Sequence, residues 1–116
     1  MREVLRRTPR FAERVFTARE RDYCDARGGS SAQHYAARFA AKEAALKALG
    51  TGWRGGVGWQ DVEVANDAAG RPELIFRYTA LELFRQTGAT NVHLSISHTA
   101  EHAIAHVLLE RRDIDV

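Results

Sequence analysis

Apolar and polar positions alternate in two parts of this chain and recur at helical spacing in the others. Val62 and Val64 alternate with Asp61 and Glu63, a turn follows at NDAAG, and Glu73 to Phe76 returns. A half-buried strand shows every second side chain to the core, so this pattern predicts a hairpin. Val92, Leu94 and Ile96 alternate with His93, Ser95 and Ser97; beyond a turn at HTAEH, Ala103 to Leu109 supplies a last strand. The front of the chain carries helix signals instead. A short basic helix ends near Thr8, where Thr8 and Pro9 can open a second. Thr17 with Glu20 forms a capping-box pattern for a third helix, stopped by Gly28 and Gly29. Ser30 with Gln33 repeats that pattern, and from there to Leu49 no Gly or Pro interrupts an alanine-rich run that Gly50 ends. Five glycines between Gly50 and Gly58 predict a loop. Thr79 with Glu82 opens a helix through Thr87, closed by Gly88. Helices in front, strands mostly behind and no regular βαβ rhythm predict an α+β fold with an antiparallel sheet.

The chain has 116 residues, 45% of them hydrophobic and 28% charged, which suits one domain spanning 1–116. Folding at this length removes only about two-thirds of the exposable surface from water, so oligomer formation would help the core. The single cysteine, Cys24, excludes an intramolecular disulfide and a zinc site built mainly of thiolates. No apolar run approaches the ~20 residues of a membrane helix, and MREVLRRTPR lacks the apolar core of a signal peptide. A cytoplasmic protein with no membrane partner is expected.

Net charge is +2, but it is uneven. Residues 1–14 hold five arginines against two glutamates, a local excess of +3 that would attract an acidic partner.

On the long helix, Tyr35, Phe39, Glu43, Leu46 and Gly50 share one stripe. A carboxylate there must meet a cation, a metal or strong donors, or stand at the edge of a cleft; the bland alternative is an i, i+4 pair with Lys47 on a solvated flank. Beside it, His34, Arg38 and Lys42 follow one another at i, i+4. Arg38 and Lys42 repel each other unless an anion such as phosphate lies between them, and a simple solvated face is the competing reading.

Phe39, Lys42, Glu43, Ala44, Lys47 and Gly50 stand as FxxKEAxxKxxG, which resembles the signature of the phosphopantetheinyl transferase superfamily. RFAAKEAALKALGTG is similar to its small single-domain synthase branch in particular. RFAERVFT at 10–17, WQDVEV at 59–64, GRP at 70–72 and SISHT at 95–99 match in order and at similar spacing, so the resemblance covers nearly the whole chain.

The resemblance implies a 4′-phosphopantetheinyl transferase-like fold. It also implies transfer of the 4′-phosphopantetheine of coenzyme A to a serine of apo acyl carrier protein, with release of adenosine 3′,5′-bisphosphate. Such chemistry is mostly positioning and charge neutralisation, with Mg2+ as cofactor. In this sequence Glu43 then corresponds to a magnesium ligand, and Lys47 to the lysine that assists serine attack or steadies the leaving phosphate. Desolvation could make Lys47 a base. Arg38 and Lys42 would hold coenzyme A phosphates, with Gly50, Thr51 and Gly52 along the pantetheine arm. Arg71 and Pro72 would border the nucleotide, and His98 and Thr99 would touch its phosphate, Ser97 orienting the turn. For Ser97 and Thr99 the plain alternative is a local turn hydrogen bond. Arg6, Arg7, Arg10 and Phe11 resemble the docking helix for the acidic recognition helix of acyl carrier protein, where charge complementarity speeds encounter. Family members assemble as trimers with sites between subunits, so a homotrimer is expected, with SISHT and KEA acting from different chains.

Family members begin further upstream, with an apolar GxDxxxI strand whose aspartate is a second magnesium ligand. This chain starts directly on the arginine-rich segment, and the expectation is a metal site short of one carboxylate, for which Asp22 and Asp25 lie too far along to substitute. A start assigned too far downstream accounts for this best; a shortened, impaired protein or a carboxylate from another chain are the alternatives. The stretch Gly28 to Ser31 also lacks the basic residues that relatives carry there. A small basic nucleic-acid-binding module, suggested by the sequence pI near 9.0, is the runner-up. No nucleic-acid motif appears, so no nucleic-acid partner is expected.

Overall fold

A computed structural model describes residues 1–50 and 56–113. The chain opens with three short helices, α1 (Arg2–Arg7), α2 (Pro9–Val15) and α3 (Ala18–Asp25), followed by a 3-10 turn at Gly28–Ser30 and the 19-residue helix α4 (Ser31–Leu49). Strands β1 (Val62–Asn66) and β2 (Pro72–Phe76) form one antiparallel hairpin; α5 (Tyr78–Thr87) follows, and β3 (Asn91–His98) with β4 (Ala103–Glu110) forms another. The expected α+β architecture is present, with its antiparallel strands arranged as two separate two-stranded sheets, β2 lying against β3 without a shared ladder.

Local chemistry explains most boundaries. At Thr17 both halves of the capping box form: the Thr17 hydroxyl accepts from the Glu20 backbone, and the Glu20 carboxylate accepts from the Thr17 backbone at 2.8 Å. Gly50 ends α4 with φ 82°, a left-handed conformation that costs glycine nothing. Two expected caps do not form. Ser30 donates its hydroxyl to the Arg27 carbonyl, finishing the 3-10 turn rather than capping α4. Helix α5 begins at Tyr78, with Arg77 at the cap position, which puts Thr79 inside the helix.

Two apolar clusters hold these elements. In the first, Ala41, Ala45, Leu46 and Leu49 of α4 meet Val62 and Val64 of β1 and Leu74 of β2, with Leu94 and Ile96 of β3 and Val107 of β4 packed against them. The register pairs Leu94 with Val107 and Ile96 with Ala105, so one face of this hairpin is apolar by alternation. Its other face carries His93, Ser95, His106, Ile104 and Leu108, the last two 58% and 62% exposed. In the second cluster, Phe11, Phe16, Tyr35 and Phe39 interlock at ring separations of 4.9–6.2 Å, fastening α2 and α3 to α4.

Candidate functional site

Helix α4 carries two sets of chemistry on opposite faces. From His34 to Glu43 is nine residues, as is from Arg38 to Lys47. Nine residues make about two and a half turns and roughly 13–14 Å of rise, which aims each pair in opposite directions.

On one face Glu43 is exposed and lines an apolar groove with Met1, Val4, Phe11, Ala36, Phe39, Ala40 and Ala103. It therefore stands at the solvent edge of its stripe, beside a cleft. Among the described residues no hydrogen bond or ion pair is made by Glu43, so the local pair with Lys47 is absent; Lys47 is likewise exposed. The basic front end borders the same groove through α1 and α2. Arg6 and Arg7 both reach Glu3, at 2.9 and 3.0 Å, and remain largely exposed. Arg10 is exposed as well, whereas Phe11 packs 5.7 Å from Phe39 and works as an anchor for α2.

On the opposite face a small pocket is lined by Tyr23, His34, Ala37, Arg38, Pro72, Ile96 and His98. Three residues expected at the nucleotide, Arg38, Pro72 and His98, meet here. The His34 ring lies 5.1 Å from that of His98 and 5.6 Å from that of Tyr23. The guanidiniums of Arg27 and Arg38 both lie over Tyr23, at 3.9 and 4.0 Å, a cation–π arrangement that concentrates positive charge at the pocket wall. Arg38 is 4% exposed; one terminal nitrogen donates to Asn66 Oδ1 at 2.8 Å, while its Nε, also buried, has no hydrogen-bond partner among the described residues. Burial, followed by His98, Arg27 and Arg38, holds the His34 pKa below its ordinary value.

Lys42 is the clear correction. It was expected on coenzyme A phosphates, but its side chain is completely buried and its ammonium is engaged by Glu20 at 2.8 Å and by the Trp59 and Val62 carbonyls. An i, i+4 row drifts about 40° per step around a helix, and by Lys42 the basic row has turned from the pocket into the core. Burial pulls its pKa down, with Glu20 opposing. Glu20 also accepts from the Val64 backbone, so the pair ties α3, α4 and β1 together.

The remaining expected residues are dispersed. Arg71 pairs with Asp67 at 3.3 Å and, with Pro72, lines a neighbouring surface depression. Thr99 uses its hydroxyl oxygen as acceptor for the Glu101 and His102 backbones, the local turn role. Gly50 is the α4 stop; Thr51 and Gly52 lie outside the described residues. Among the described residues no three His, Cys, Asp or Glu side chains cluster as a metal site. Burial pushes the Cys24 thiol up to about 11, so it stays protonated. Asp25 accepts from the Tyr35 hydroxyl.

The sequence reading missed Tyr23, Glu20 and Glu63. Tyr23 and Arg27 stand at i, i+4, a stacking signal that was available. Glu20 looked like a solvated capping residue. Glu63, on an alternating strand, looked exposed, yet it is buried and held by Thr17, Arg19 and Arg77.

A model of the 4'-phosphopantetheinyl transferase superfamily matches residues 1–107. The holo-[acyl-carrier-protein] synthase of Geotalea daltonii is 52% identical over 99 residues, which cover 85% of this chain and 78% of that protein. Among solved structures, the holo-(acyl-carrier-protein) synthase of Bacillus anthracis str. Ames in complex with CoA (3',5'-ADP) superposes with a TM-score of 0.75 at 39% identity, covering 96% of this chain and 89% of that one. The Helicobacter pylori holo-[acyl-carrier-protein] synthase in complex with coenzyme A gives 0.76 at 28% identity, covering 94% and 89%. No helix among the described residues is long and apolar enough to cross a membrane.

Proposed function

The chain belongs to the 4'-phosphopantetheinyl transferase superfamily, and on that premise we propose that it works in the cytoplasm as a single-domain holo-[acyl-carrier-protein] synthase. It moves the 4′-phosphopantetheine group from coenzyme A to a serine of apo acyl carrier protein. The serine oxygen bonds to the phosphorus that carries pantetheine, the diphosphate bridge breaks, the serine loses its proton, and adenosine 3′,5′-bisphosphate leaves.

The observation that carries this reading is Glu43, an exposed carboxylate without a partner among the described residues, beside an apolar groove and within the FxxKEAxxKxxG motif. A hard cation suits it. Mg2+ is commonly held by one or two carboxylates together with substrate phosphates and water, so Glu43 with the coenzyme A diphosphate is a fitting donor set, although not a closed protein cage. When bound, the ion neutralises charge on the diphosphate. Lys47, one turn on and exposed, places a second cation where the leaving phosphate develops charge. The apolar groove beside Glu43 receives the pantetheine arm. Arg6, Arg7 and Arg10 present the charge that draws an acidic carrier, and Phe11 holds α2, which carries Arg10, in place.

Arg38 and His98, with Pro72 beside them, take a phosphate of the nucleotide. They face away from Glu43 and Lys47 across the thickness of α4, so within one chain the two sets do not address one molecule of coenzyme A. Two copies do: one supplies Glu43 and Lys47, its neighbour supplies Arg38 and His98. A homotrimer of this arrangement would also cover Ile104 and Leu108 on the outer face of β3 and β4. The test is product release. With coenzyme A, Mg2+ and apo acyl carrier protein, adenosine 3′,5′-bisphosphate should accumulate in step with carrier consumed; no release with the native carrier, or equal release with a carrier whose serine is replaced by alanine, refutes the reading.

A further inference from the structure

His34 has no place in the mechanism above, yet it lines the same pocket as Arg38 and His98. The surroundings of His34 have one sign. From α3 it meets the edge of Tyr23, the ring that Arg27 and Arg38 cover; one turn on along α4 stands Arg38; from β3 comes His98 at 5.1 Å. No carboxylate faces it among the groups that perturb it. Arg38 lines the pocket, and among the described residues its buried Nε has no hydrogen-bond partner. His34 lies in the first turns of a 19-residue helix, where the dipole favours an anion and disfavours a further positive charge.

Resting on the nucleotide reading of this pocket, we propose that His34 is a further nucleotide-binding residue and that it couples phosphate binding to the uptake of a proton. The second imidazole at 5.1 Å and the two guanidiniums disfavour a positive charge on His34 while the pocket holds no anion. A bound phosphate supplies the missing negative charge beside the Arg38 guanidinium and makes the imidazolium form of His34 the favoured one. The cavity, about 170 Å3, is smaller than the 300–1,000 Å3 typical of whole-ligand pockets, so it takes one phosphate group rather than the nucleotide entire. Affinity for the nucleotide is thereby coupled to pH in the range where histidine titrates.

The measurement is titration calorimetry of adenosine 3′,5′-bisphosphate into the whole assembled protein, from pH 6 to 8, in pairs of buffers differing in ionisation enthalpy. Wild type should take up protons on binding and bind more tightly as pH falls, by up to about tenfold per pH unit where a full proton is taken up. The ligand's own phosphate ionisation near pH 6 works the other way and is common to every variant, so the difference between variants isolates the histidine. His34→Gln should lose at least half of the uptake and flatten the pH profile; His34→Lys, with a fixed charge, should bind tightly with little pH dependence. Equal net proton exchange in wild type and His34→Gln, or greater uptake in His34→Gln than in wild type, overturns the inference and leaves the nucleotide reading standing. Absence of binding throughout the range overturns that reading, and this inference with it.

Discussion

Between Lys42 and Glu43 the helix turns by about 100°, and that rotation gives two adjacent charged residues unrelated roles. Glu43 is left in solvent beside a groove, where its carboxylate is available to a cation. Lys42 is taken into the core, where Glu20 and two carbonyls surround its ammonium. Of the basic row read from the sequence, His34 and Arg38 meet in one pocket, whereas Lys42 is turned into the core. Spacing of i, i+4 is legible in a sequence; the slow drift of that row around the helix, and the element waiting on the other side, are not. The structural role of Lys42 has a measurable consequence. Replacing one member of a buried ion pair leaves the other charge uncompensated, at a cost of about 3–5 kcal/mol. Urea denaturation of Lys42→Met should show a loss of that size, with much of it recovered in the Lys42→Met, Glu20→Gln double variant. A loss below about 1 kcal/mol would mean that the pair does not hold α3 to α4.

At the scale of elements, hydrophobic alternation and glycine stops located both hairpins and α4 to within a residue or two, because periodicity and the left-handed stop at Gly50 are local properties. The capping box at Thr17 formed as read. Those at Ser30 and Thr79 did not, since a preceding 3-10 turn and an earlier helix start changed which residue occupies the cap position. Glu63 shows the limit of alternation. Its place on β1 looks solvent-facing, but α3 covers that face, and the residue becomes the meeting point of Thr17, Arg19 and Arg77. Burial pushes its pKa up, and the Thr17 hydroxyl with Arg77 and Arg19 outweighs burial, leaving the carboxyl below its ordinary 4.5. A pKa depressed by folding contributes stability above the unfolded value and loses it as pH falls through the folded one. Glu63→Gln should thus lower stability at pH 7 by about 1.5–3 kcal/mol, the range for a hydrogen bond to a charged group. The gap to wild type should narrow below pH 4.5. A gap in urea midpoints that stays constant from pH 7 to 3.5 would contradict this account of the network.

On the scale of the whole molecule, Glu43 and Lys47 project from α4 on one side and Arg38 on the other, and Ile104 and Leu108 stand exposed among polar residues on the outer face of β3 and β4; the proposed two-chain site would use both features. The family was legible in the sequence through its motifs, and the nine-residue spacing already sets Arg38 opposite Lys47 on α4. That His98 of β3 joins Arg38 and Pro72 in one pocket depends on how the hairpins pack on α4, which no local pattern encodes. Phosphopantetheine transfer is proposed to occur at sites completed by two copies of this chain. The most direct measurement is the intact mass of apo acyl carrier protein after incubation with coenzyme A, Mg2+ and protein assembled from equal parts of Glu43→Ala and His98→Ala chains. Wild type should add one phosphopantetheine, and each variant alone should fall far short. The mixture should recover transfer at roughly one site in four, where an intact half meets an intact half; a mixture no more active than its components, with wild type active alongside, would contradict the claim.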